Sequence, residues 1–110
     1  MIEIDDTPRA WDESSDGPLT EDALRARYQP KTRYRVSRFI LPADDRSSGS
    51  MMVALCFCLR GHGRYIFGDR VIELSAGQAV RLPGGAYQQE SDEDDVFDTV
   101  KVFELPPEFW

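Results

Sequence analysis

The chain has one histidine and two cysteines in 110 residues, and each shortage closes off a class of chemistry. With His62 alone there is no imidazole cluster of the kind zinc or iron sites use, and a serine or cysteine nucleophile has no choice of base. Positive charge is also short. Acids outnumber lysine and arginine 20 to 13, the net charge is -7 and the pI is about 4.6, so nothing supplies the broad positive field that nucleic acid or an anionic membrane surface requires. No apolar run approaches the roughly 20 residues of a membrane span. Residues 1 to 11 are acidic and interrupted by Pro8, with neither a basic start nor an apolar stretch, so no signal peptide is expected. Cys56 and Cys58 stand one residue apart in an apolar run, where a strand points both to one face and a disulfide would be strained. Reduced thiols and a cytoplasmic setting are the expectation. A soft-metal site would need two further ligands, so both cysteines read as small core residues.

What is present is a globular composition: 41% hydrophobic and 11% aromatic residues, enough for one compact domain. Residues 1 to 24 hold eight acids against Arg9 alone, so this segment carries the whole net charge and the remainder is balanced. We divide the chain into an acidic N-terminal arm with a short helix, residues 1–30, and a barrel domain, residues 31–110. Residues 12–20 combine turn formers and charge without apolar periodicity and read as an exposed linker. Thr20 is placed as the N-cap of a peripheral helix that runs through Tyr28. Acids in its first turn and arginines near its end match the helix dipole, and Pro30 stops it.

From Thr32 onward, short runs of β-branched, aromatic and apolar residues alternate with Gly, Pro and Asp. Strands are expected near 33–41, 51–60, 64–67, 70–74, 78–82, 86–90 and 96–104, with the Ser47-Ser48-Gly49 stretch as an interruption. Met51 to Leu59 is apolar on both faces: Met51, Val53, Leu55, Phe57 and Leu59 on one, Met52, Ala54, Cys56 and Cys58 on the other. The small face suits a barrel interior. The bulky face needs a second layer or a partner subunit, and a homodimer is the expectation.

Gly77-Gln78-Ala79-Val80-Arg81-Leu82-Pro83-Gly84-Gly85-Ala86-Tyr87-Gln88 resembles the second cupin motif, G-x5-P-x-G-x2-H-x3-N, with Gly77, Pro83 and Gly85 at the right spacing. Gln88 stands at the histidine position and Asp92 at the asparagine. The first motif is recognisable only at its end, in the Gly61-His62-Gly63 hairpin. Counting back places Ala54 at the glutamate position, and Ser50 and Ser48, or with the longer spacing Gly49 and Ser47, at the two histidines. The resemblance covers about residues 33–105. It implies an all-β, antiparallel cupin (jelly-roll) barrel without the family's metal ligands, and its texture from Arg60 to Gln88 is similar to the ligand-sensing domains of arabinose-type transcription regulators.

The resemblance aims Gln88 into the cavity, where its amide would orient a bound molecule, with Ser48 and Ser50 adding hydrogen bonds. Tyr65, Tyr87 and Arg81 are placed at the mouth, and Met52, Ala54, Cys56 and Cys58 along an apolar wall. No metal, no cofactor and no catalytic residue is assigned. His62 reads as a solvent-facing turn residue, and Glu90 to Asp98 as a solvated acidic hairpin rather than a calcium loop. Lys31, Arg33, Arg35 and Arg38 either receive an anion or pair with the acidic arm. Three functions remain open: a small-molecule sensor or accessory binding protein; a metal-independent isomerase, cyclase or lyase; and a protein-interaction module using strand 51–59 and the Phe109–Trp110 tail.

Overall fold

The structure, a computed structural model, describes residues 3–110. Two antiparallel sheets face one another. The strands are β1 (Arg9–Ala10), β2 (Tyr34–Leu41), β3 (Arg46–Met51), β4 (Ala54–Arg60), β5 (His62–Phe67), β6 (Arg70–Ser75), β7 (Gln78–Leu82), β8 (Gly85–Ser91) and β9 (Phe97–Glu104), with helices α1 (Glu13–Asp16) and α2 (Glu21–Tyr28) before β2. One sheet has the order β1-β7-β4-β9-β2 and the other β3-β8-β5-β6. This is an all-β sandwich with a short N-terminal helical segment, as expected.

Alternation along each strand sorts side chains between the sheets from those outside. Leu41, Cys56, Cys58, Tyr65, Ile72, Leu74, Val80, Leu82 and Phe97 fill the interior. The outer face of the five-stranded sheet forms a second cluster, in which Val36, Phe57, Ala79, Val100 and Val102 pack against Leu24 and Tyr28 of α2 and against Ile4, Trp11 and Leu19 of the arm. The bulky face of β4 is therefore covered by this chain's own N-terminal segment, which occupies the surface that suggested a subunit interface. Helix α2 begins where Thr20 Oγ1 accepts from Ala23 N at 3.1 Å, as its sequence predicts. It is not peripheral: Leu24 is 1% exposed.

Four segments depart from the sequence expectation. The run 51–60 is not one strand but two, since the chain leaves one sheet after Met51 and enters the other at Ala54. Ser47-Ser48-Gly49 lies inside β3 and is no interruption. β8 supplies its ladder partners, pairing Ser48 with Gln88 and Gly49 with Tyr87. The stretch 12–20 is exposed over most of its length but is no mere linker, because Asp12 caps α1, Asp16 is buried and Trp11 Nε1 donates to Gly17 O at 2.8 Å. Arg9 and Ala10 add a strand to the edge of β7, a two-residue pairing too short to leave a periodic signal.

Candidate functional site

The two sheets do not close on the side where β2 and β3 are edge strands, because no ladder joins these two. Along this seam a cleft of about 510 Å³ is lined by Arg35, Ser37, Phe39, Met51, Met52, Tyr87 and Phe103, with Ser50 at its rim. A smaller recess of about 210 Å³ lies beyond Phe39, bounded by Leu41, Ser47, Gln89, Phe97 and Thr99. Both are open, and the larger falls within the size range of small-molecule sites. Phe39 borders both and is 39% exposed.

Beneath Phe39 lies a group the sequence reading did not single out. Lys101 is 3% exposed in the interior, its Nζ 4.2 Å from the centroid of the Phe39 ring and 5.1 Å from that of Tyr65. Thr99 Oγ1, at 3.4 Å, is its hydrogen-bond partner among the described residues. Burial lowers the affinity of this amine for its proton, and the nearby Cys56 side chain acts more weakly the other way. Tyr65 Oη and Cys56 Sγ are 3.5 Å apart, and burial pushes both groups up, Tyr65 well above its ordinary value. Cys58 is pushed up to about 12 by burial and then by Cys56. All three are protonated at neutral pH.

This arrangement carries a stability consequence. An unfolded Lys101 titrates near 10.5 and the folded one lower, so folding works against its proton. The penalty is full below the folded value and disappears as pH rises toward 10.5. Lys101→Met should therefore be more stable than the parent at pH 7 by roughly 1–3 kcal/mol, the usual cost of an incompletely satisfied buried polar group. Urea titrations at pH 7 and pH 10 check this, and a gap that fails to narrow at the higher pH contradicts it.

The residues proposed from the sequence divide by face. Ala54, Cys56, Cys58 and Tyr65 are buried in or beside the interior, Tyr87 is half-buried against Tyr65 and Phe67, and Met52 stands at the cleft. Gln88 does not point inward. Its neighbours Tyr87 and Gln89 face the interior, Gln89 donating to Ser47 Oγ at 3.2 Å, so alternation turns exposed Gln88 to the outer face together with its partner Ser48. Ser50 shares that outer register but reaches the cleft rim. Arg81 lies outside the five-stranded sheet, where Nε donates to Glu104 Oε2 at 2.9 Å, and is not at the mouth. The inward positions of β3 are Ser47 and Gly49, those of the longer motif spacing.

The cationic stretch is divided as well. Arg38 donates to Asp98 and to Glu21 of α2, pairing with the arm, while Arg35 borders the cleft. His62 Nδ1 is 3.0 Å from Asp92 Oδ2 on the outer face, away from the interior.

No protein-family model and no curated protein matches the sequence. Solved structures do match. A cupin protein from Bacteroides fragilis is 24% identical with a TM-score of 0.59, over 71% of this chain and 70% of that one. The Cupin 2 domain of an XRE family transcriptional regulator from Enterobacter cloacae is 12% identical at TM-score 0.59, over 72% and 88%. The chain has the cupin fold. A Cupin 2 conserved barrel domain protein from Salinispora arenicola, 17% identical at TM-score 0.59 over 70% and 66%, shares it.

Cupins commonly hold a metal in the barrel, and the donor set of this cupin sandwich does not fit one. Its inward positions carry hydroxyls, an amide, two protonated thiols and an amine, and no group of three His, Cys, Asp or Glu side chains among the described residues is arranged to hold a metal ion. Lys101 was legible only as an oddity: a lysine between Val100 and Val102, in a strand apolar on both sides.

Proposed function

We propose that this chain is a small-molecule-binding cupin whose ligand enters the seam between β2 and β3 and is held without a metal. The carrying observation is an open, aromatic-walled cleft with a few polar side chains among its apolar lining. Phe39, Phe103, Tyr87, Met51 and Met52 supply apolar contact, Arg35, Ser37 and Ser50 supply the few hydrogen-bonding groups that orient a ligand, and Lys101 with Thr99 lies directly behind the Phe39 ring. The neighbour from Enterobacter cloacae is the cupin domain of a transcriptional regulator, which suits a sensing role, here as a unit acting alone or beside a partner.

The test is a small-molecule screen read by backbone amide spectra. Shifts should converge on Ser37, Phe39, Tyr87 and Phe103, and Ser37→Trp, which fills the cleft, should weaken binding at least tenfold while the protein remains folded. Ligands that bind elsewhere on the molecule, or with unchanged affinity to Ser37→Trp, would refute this placement.

A further inference from the structure

The chain has two lysines, and they differ in every relevant respect. Lys31 is exposed, with its Nζ 5.9 Å from the Tyr28 ring. Lys101 is enclosed between the sheets, one aromatic ring away from an open cleft, and no carboxylate pairs with it among the described residues. Facing it are the Thr99 hydroxyl on its own strand, the Cys56 thiol from β4, the Tyr65 phenol from β5 and the Phe39 ring from β2, with Tyr87 of β8 against Tyr65 and Arg35 at the cleft rim. A stabilising role accounts poorly for an amine here, since a methionine would fill the same space at less cost. As a counter-charge for an anion it is poorly equipped too, because its surroundings favour loss of the proton.

We propose that Lys101 is a reactive amine that condenses with a small aldehyde or ketone held in the cleft, forming an imine at Nζ. The inference rests on the cleft being the binding site and names the ligand's chemical class. The Nζ lone pair attacks the carbonyl carbon, the C–N bond forms, and the carbonyl π electrons move to oxygen, which takes a proton from the amine to give a carbinolamine. The C–O bond then breaks, the oxygen leaves as water with the second amine proton, and C=N remains. Thr99 Oγ1, 3.4 Å from Nζ, is placed to pass a proton, and the protonated Tyr65 phenol supplies a second hydroxyl on the same side. Burial supports the first step because only the neutral amine is a nucleophile. Phe39 covers Nζ, so its ring must turn aside for a substrate to enter, a motion open to a part-exposed side chain on an edge strand.

The test uses benzaldehyde with sodium cyanoborohydride at pH 7 on the full chain, followed by intact mass and peptide mapping. Lys31 serves as the internal control, and adducts at the N-terminal amine are mapped separately. The expected result is benzylation at Lys101 at least tenfold faster than at Lys31, loss of that adduct in Lys101→Met, its retention in Lys31→Arg, and a further increase in Phe39→Ala. Labelling of Lys31 as fast as Lys101, or no adduct at Lys101, overturns the proposal. Benzyl alcohol, which has the same ring and no carbonyl, separates the two readings. If it shifts the amides of the cleft while Lys101 stays unlabelled, the imine chemistry fails and the binding site stands. If neither compound touches the cleft and Lys101 stays unlabelled, both fall.

Discussion

Phe57→Ala should cost about 3–5 kcal/mol and loosen the N-terminal segment from the sandwich. Phe57 is fully buried on the outer face of the five-stranded sheet, with Trp11 edge-on at 5.6 Å and Tyr28 at 6.1 Å. It is the point at which both the arm and α2 rest. An eight-residue helix has little stability of its own in water, so α2 depends on this packing. Chemical denaturation should show the loss, together with reduced helical signal and a red-shifted emission from Trp11. Val71→Ala, at a 55% exposed position on β6, is the control and should change stability by less than about 0.5 kcal/mol. A Phe57→Ala protein as stable as the parent would mean that the arm is not part of the cooperative unit.

Gly61→Ala should be at least as damaging, with a loss of about 3 kcal/mol or more and poor recovery of folded protein. Gly61 makes the tight turn from β4 into β5 with φ at +83°, a left-handed conformation that alanine resists. The space a Cβ would take is already filled by the backbone carbonyl of Val96, which cannot swing aside as a long side chain does. Gly17→Ala separates the two causes. Gly17 has φ +86° and ψ -179° but open space around it, so its substitution should show the conformational penalty alone, about 1–3 kcal/mol and less than at Gly61. Equal effects at both positions would show that the Val96 contact is unimportant.

The sandwich was legible because its signals are local. Pro83 and Gly85 set a corner, Gly61-His62-Gly63 sets a hairpin, and period-two alternation reports burial wherever one face is dry. The failures have physical causes. Gln88 was aimed inward by motif spacing, yet a shift of one residue reverses every side chain in a strand, and Tyr87 and Gln89 are the residues that face the interior. Strand β3 was missed because Ser47, Ser48, Gly49 and Ser50 have turn composition, and only the ladder with β8 makes them a strand. The seam leaves no sequence signal, and Lys101 leaves only its odd place between two valines. They depend on which edges of two sheets stay unpaired and on what stands across the interior from each strand, relations between residues some 60 positions apart.

The sheet order has a bearing on how this polypeptide reaches its final form during synthesis. β9, the last strand among the described residues, lies between β4 and β2 in the interior of the five-stranded sheet. While the chain emerges from the ribosome, β2 and β4 have no neighbour on their facing sides, and the apolar surface they share with α2 is incomplete. Assembly must wait for Phe97–Glu104, and the sequence-distant pairings of Tyr34 with Glu104 and Leu41 with Phe97 place the molecule among slow-folding topologies. A nascent chain stalled before residue 97 is thus an unfinished sheet with two open edges, the state in which chaperone capture or aggregation competes most strongly with folding.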